Sequence, residues 1–222
     1  INGLAPKAFA EELSKTGGKF LQISTDYVFK GDQSFPYSEN NVRNPINQYG
    51  YSKAIGEEFI EELLVGNKQA VILRTSWLMS EVGTNFVKTI LKLLSQKDKI
   101  NIVSDQVGSF TSTKTLSKAC WEIINLYSQI NNNIDLPNIL HWTDEGQITW
   151  YEIAKKIKHY STEKGITDMS AEILPVKTSK FITKAKRPLY SVLDCRNTYK
   201  LLGIEPTFWE ESLKDIKLIV IS

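Results

Sequence analysis

Apolar positions along this chain alternate between helical spacing and short continuous runs. Residues 5–15 put Phe9 and Leu13 on one helical face, with Pro6 suited to a first turn. Gly17-Gly18 ends that helix, and 19–24 (KFLQIS) is a short apolar strand with Ser24, Thr25 and Asp26 at its carboxyl end. A loop rich in Gly, Pro, Asn and Asp covers about 30–47. A helix over 48–65 and a strand over 70–74 (AVILR) follow, then a helix near 84–96, a strand at 100–103, a helix at 115–129 and a strand at 139–142. Helices and strands in this rhythm predict one parallel sheet with crossover helices. Thr149-Trp-Tyr-Glu152 reads as a capping box. After about 165 the pattern changes to short strands, prolines and a final amphipathic helix near 208–219. The asparagine run 131–133 reads as a loop.

The fold class is therefore α/β, a Rossmann-type doubly wound parallel sheet entered part-way through. A dinucleotide fold normally begins strand, Gly-rich turn, helix, because the turn lets backbone approach the pyrophosphate. Neither Gly-x-Gly-x-x-Gly nor Gly-x-x-Gly-x-x-Gly occurs here. Residue 1 is Ile, and Met79 and Met169 are the two methionines. The expectation is that the first βαβ units precede Ile1 in a longer chain, and that without them the sheet has an uncovered edge and poor solubility.

The charge changes this picture little. A net charge of +2 over 222 residues, with lysines spread along the chain, gives no footprint for nucleic acid. Two distant cysteines, Cys120 and Cys195, make no disulfide framework and point to a reducing cytoplasm. No apolar run approaches the ~20 residues of a membrane helix. His141 and His159 lack metal-ligand spacing, and His141, in an apolar strand, reads as structural.

The candidate chemistry is Tyr49-Gly-Tyr-Ser-Lys53. On a helix, positions i and i+4 share a face, so the lysine ammonium is expected to lower the tyrosine pKa and ready it as a proton donor to a carbonyl. The spacing recurs at Tyr151/Lys155 and Tyr160/Lys164, which read as exposed helical pairs. Only the first copy follows a strand ending Ser24-Thr25-Asp26, the place where open α/β sheets bind ligands. A Thr25 hydroxyl beside the Tyr49 phenol makes a two-donor site for one carbonyl oxygen.

The ordered string Ser24-Thr-Asp-Tyr-Val-Phe29, Gly31, Pro36-Tyr37, Glu39, Pro45, Tyr49-Gly-Tyr-Ser-Lys53 and Gly56-Glu57 resembles the extended short-chain dehydrogenases/reductases. Within them the chain is most similar to the dTDP-4-dehydrorhamnose reductase family. Arg74-Thr-Ser-Trp77, Asp105-Gln-x-Gly108 and Arg187-Pro-x-x-Ser191-x-Leu-Asp194 extend the likeness over nearly the whole chain. Lys30 and Phe110 depart from the family's usual aspartate and proline.

The resemblance implies NADPH- or NADH-dependent reduction of a dTDP-4-keto-6-deoxyhexose, giving dTDP-L-rhamnose. Tyr49 would be the proton donor, Lys53 its activator and a ribose contact, and Thr25 the hydroxyl partner. Ser24 would lie with Tyr49 and Lys53 against the cofactor. Asp26 and Tyr27 would line the sugar site, Trp77 would pack its indole on the deoxysugar, and Arg187 would hold the diphosphate. Asp105 and Gln106 would organise a loop. Residues 1–143 would be the later part of the dinucleotide-binding domain and 144–222 a smaller substrate-binding lobe. A homodimer and a Mg2+ ion rest on the resemblance alone. The rival readings are a non-catalytic regulatory module of this fold, and another sugar-nucleotide reductase or epimerase.

Overall fold

In a computed structural model the described residues are 1–128, 136–166, 170–181 and 183–217. Helix α1 (Leu4–Thr16) ends where Gly17 turns left-handed at φ 74° and its N–H reaches the Leu13 carbonyl, as the Gly17-Gly18 pair anticipated. Strand β1 (Phe20–Thr25), helix α2 (Gln48–Leu64) and strand β2 (Ala70–Thr75) follow. Further on come β3 (Leu78–Met79), α3 (Phe86–Gln96), β4 (Lys99–Val103), β5 (Val107–Gly108), β6 (Thr111–Ser112) and α4 (Thr113–Ser128). The chain continues through β7 (Ile139–His141), β8 (Ile148–Thr149), α5 (Trp150–Glu163), β9 (Glu172–Val176), α6 (Arg196–Leu202) and α7 (Trp209–Asp215). The capping box at Thr149 and Glu152 is formed in both directions. The asparagine run, residue 129 and the expected end of the last helix from 218 lie outside the described residues.

The central sheet is parallel, in the order β1-β2-β7, with Thr25 beside Thr75 and Arg74 beside His141. All six residues of β2 are buried because both faces of the sheet are covered. Alternate side chains go to opposite faces. Ala70 and Ile72 pack with Ala10, Ile60 and Leu64 of α1 and α2. Val71 and Leu73 pack with Leu116, Ala119 and Ile123 of α4 and with Ile204 after α6. This is the expected doubly wound layout.

One expectation is corrected. The strand at 100–103 does not extend this sheet; β4 pairs in parallel with β9 in a separate two-stranded sheet. Its side chains explain why. Lys99 and Asn101 are exposed while Ile100 and Ile102 are buried, so β4 has one wet face and suits a covering layer rather than a sheet buried on both sides. Ile100 and Ile102 join α3, α5 and α7 in a second core that also takes Trp77, Met79 and Phe110. The two cores interleave along the chain, so a single cut at 143 does not follow the packing. Phe110, where the family pattern has proline, is fully buried against Trp209.

Candidate active site

Strand β1 ends at Thr25, whose side chain accepts the Tyr27 N–H at 3.2 Å and starts a 3-10 turn over Asp26–Val28. Asn47 caps α2 by accepting the Gly50 N–H at 2.8 Å, which fixes Tyr49 in the first turn. Gly50 is there for space, since a β-carbon would stand 2.0 Å from the Tyr27 carbonyl oxygen. Helix α2 therefore begins in direct contact with the turn after β1. Tyr49 meets Tyr27 edge-on at 6.0 Å, faces the Thr25 hydroxyl, and stays about half exposed.

Tyr49 does not have the lowered pKa expected from Lys53. Burial raises it, the Thr25 hydroxyl opposes that, and the Asp26 carboxyl adds to it. The reason is where the ammonium points: Lys53 Nζ donates to the Ile23 carbonyl of β1 at 3.1 Å. Burial lowers the Lys53 pKa and the nearby Glu57 opposes this.

Ser24 is also directed elsewhere. It is buried, and its hydroxyl donates to Glu57 in a short hydrogen bond. Glu57, one helical turn beyond Lys53, sits fully buried against Arg74, with Nη2 to Oε2 at 2.6 Å and Nε to Oε1 at 3.0 Å. Arg43 reaches Glu57 at 3.2 Å and Glu61 at 2.7 Å. Arg74 Nη1 lies 3.4 Å from His141 Nε2, and His141 Nδ1 lies 3.1 Å from the Tyr37 carbonyl. His141 is thus structural, as the sequence suggested; burial first, and then Arg74, lower its pKa to about 3. Sequence reasoning missed this network. The signal was Glu57 itself, an acid on the same helical face as Tyr49 and Lys53.

Trp77 is not open to a sugar either. It is 9% exposed and held in the left-handed region at φ 41°, a conformation that costs a non-glycine residue strain. One indole face stacks on Trp150 at 3.7 Å and 16°, and its edge fills the space that a side chain at Gly108 would need. Trp150, unlike Trp77, lines a cavity of about 340 Å³ with Phe86, Asn101, Ile102, Val103, Gln106, Phe181, Thr183 and Arg187. Arg187 faces the Tyr27 phenol, which burial raises to about 12 with Asp26 adding to the effect and Arg187 opposing it. The Asn47 side-chain amide donates to the Lys186 carbonyl at 2.9 Å, tying the start of α2 to this segment. The fold therefore links Thr25, Tyr49, Tyr27 and Arg187 through successive neighbours, and Arg187 lines the aromatic cavity. A larger concavity of about 620 Å³ is lined by Ser109, residues 143–147 and residues 192–196, and includes neither Tyr49 nor Arg187.

The remaining expectations are structural. Asp105 Oδ1 accepts the Thr178 N–H and hydroxyl at 2.8 and 2.7 Å, and Gln106 donates to the same hydroxyl at 3.1 Å, so both organise a loop. The other two tyrosine–lysine pairs lie on α5, where Tyr151 closely follows the end of β8 and Tyr160 is buried rather than exposed as expected. Lys155 lies over its own Tyr151 ring, and the Tyr160 phenol donates to Glu210. Among the described residues, no three His, Cys, Asp or Glu side chains cluster as a metal site. No helix among them is long and apolar enough to cross a membrane.

The RmlD substrate binding domain matches residues 1–219. The chain belongs to the RmlD family. It is 39% identical over 215 residues to the spore coat polysaccharide biosynthesis protein SpsK of Bacillus subtilis, covering 97% of this chain and 69% of that one. It is 33% identical to the dTDP-4-dehydrorhamnose reductase of Aggregatibacter actinomycetemcomitans, covering 98% and 72%. A Bacillus anthracis dTDP-4-dehydrorhamnose reductase, solved in complex with NADP, superposes with a TM-score of 0.82 at 36% identity, covering 97% of this chain and 71% of that one. This RmlD-family chain thus has the α/β fold of the short-chain reductases and spans about 70% of the length of these relatives.

Proposed function

We propose that this protein acts in the NADPH-dependent reduction of dTDP-4-dehydrorhamnose to dTDP-L-rhamnose. The observation that carries the reading is the succession of neighbours from the Thr25–Tyr49 pair through Tyr27 to Arg187 and the aromatic cavity. It has the parts that a nucleotide sugar needs in sequence. Trp150, Phe86 and Phe181 offer ring faces for a base, Arg187 offers a planar fork for a diphosphate, and two hydroxyl donors wait for a keto oxygen.

Residues of this chain fit the nicotinamide-ribose end of the cofactor. Lys53 donates one hydrogen bond to Ile23 and has two further N–H groups for ribose hydroxyls. When bound, the cofactor supplies the hydride. Tyr49 then has the proton the developing alkoxide takes up, and burial, by raising its pKa, keeps that proton on the phenol near neutral pH. Thr25 and Tyr49 together hold the oxygen as its charge grows. Tyr27 and Arg187 orient the remainder of the substrate.

The test is NADPH consumption by the purified full-length protein with dTDP-4-dehydrorhamnose, with product identity checked by mass. Formation of dTDP-L-rhamnose, lost in Tyr49→Phe, is the expected result. Tight binding of the dTDP sugar without NADPH oxidation would instead point to a binding module.

A further inference from the structure

Asp26 follows Thr25 directly, and the residue is 2% exposed. One of its oxygens, Oδ2, is buried with no hydrogen-bond partner among the described residues. The other, Oδ1, accepts the Thr25 hydroxyl proton at 3.0 Å. Ser191, from the Arg187–Asp194 segment, also faces the carboxyl. Among the described residues no lysine or arginine forms an ion pair with it; Lys53 is turned to the Ile23 carbonyl and Arg187 to Tyr27. The ionisable groups facing Asp26 are Tyr27 on its own turn and Tyr49 on α2, both neutral near pH 7. An orphaned oxygen with no counter-ion is costly for a carboxylate and much less so for a neutral acid.

The consequence lies in the Thr25 hydroxyl, which has one proton to give. While Asp26 is a carboxylate, that proton is committed to Oδ1. When Asp26 is a neutral acid, Asp26 can itself donate to Thr25 Oγ1, and the Thr25 proton is released. We propose that Asp26 is a positioning residue for this site, aiming the Thr25 hydroxyl at the substrate's keto oxygen in its neutral form and withdrawing it in its ionised form. The inference rests on the function proposed above, and it makes Thr25 a donor only in one protonation state. Burial raises the Asp26 pKa to about 7, the pull of the Ser191 and Thr25 hydroxyls and the backbone N–H groups being smaller, so the switch falls in the neutral range.

Two measurements test it. The first is independent of turnover: a 13C-carboxyl NMR titration of Asp26, in the wild type and in Thr25→Val. A midpoint near 7, moved upward when the Thr25 donor is removed, is expected. A midpoint in the ordinary aspartate range, or one that Thr25→Val leaves in place, overturns the proposal. The second is the pH profile of kcat with dTDP-4-dehydrorhamnose and NADPH. Wild-type activity should fall as pH rises through the same midpoint, and Asp26→Asn should lack that limb. The Asn-to-wild-type activity ratio should therefore rise about tenfold from pH 6 to pH 8. A merely structural Asp26 leaves that ratio flat, which refutes the proposal. If Asp26→Asn fails to fold, the titration decides alone. A titration of the expected form in a protein that reduces no dTDP sugar refutes the functional reading while leaving the Asp26–Thr25 coupling in place.

Discussion

Replacing Gly50 with alanine separates what helix propensity predicts from what this fold allows. Gly50 lies in the first turn of α2, where alanine is intrinsically better by about 1 kcal/mol. The built structure reverses the sign. A β-carbon would sit 2.0 Å from the Tyr27 carbonyl oxygen, 2.8 Å from the carbonyl carbon and 3.0 Å from Pro45 Cβ. A carbon–oxygen contact is comfortable at about 3.3 Å, so α2 and the turn after β1 must part by about 1 Å. The nearest atoms are backbone and cannot rotate aside. Overpacking of this kind costs about 1–3 kcal/mol, for a net destabilisation of up to about 2 kcal/mol after the propensity gain. The same shift carries Tyr49 away from Thr25, and a misplacement near 1 Å lowers turnover about 100-fold. Urea unfolding and steady-state kinetics of Gly50→Ala read both effects. A variant more stable than the wild type, with unchanged kcat, would refute the reasoning.

Tyr49→Phe removes the proton donor and should lower kcat by about 100- to 10,000-fold while circular dichroism stays unchanged; undiminished turnover would remove Tyr49 from its role. Arg187→Ala should raise KM for the dTDP sugar by about 10- to 100-fold with little change in kcat, the loss of a charge-assisted contact, and an unaltered KM would place the diphosphate elsewhere. Arg74→Met leaves the buried Glu57 charge to Arg43 and Ser24 and should cost up to about 3–5 kcal/mol in urea unfolding, part of it recovered when Glu57→Leu is added; no recovery would show that the pair is not the cause. His141 has its pKa lowered to about 3 from the ordinary 6.5, so its contribution is full above pH 6.5 and is lost as pH falls towards 3. Unfolding free energy should drop by up to about 4 kcal/mol across that window, and His141→Gln should flatten the slope; equal slopes would count against a neutral buried histidine.

The sequence by itself determined the main early elements and which residues are candidates for the chemistry. Periodicity marked α1, β1, α2 and β2, because an amphipathic helix and a strand buried on both faces leave different local spacings. Motif order then picked Tyr49 and Thr25 out of three tyrosine–lysine pairs, because β1 and α2 are adjacent in the chain and their juxtaposition is a local matter. Tertiary structure decided what depends on distant partners. The strand β4 looked like the next member of the sheet, yet it joins β9, more than 60 residues on, because the other face of its layer is wet. Trp77 read as a sugar platform until Trp150 was found stacked on it, and Ser24 read as a cofactor contact until Glu57 and Arg74 met beneath it. The sign of the Tyr49 pKa shift followed the same rule. Helical spacing puts Lys53 on the same face, but its flexible ammonium turns to a backbone carbonyl of β1, Ile23, which the Gln22 side-chain amide also reaches.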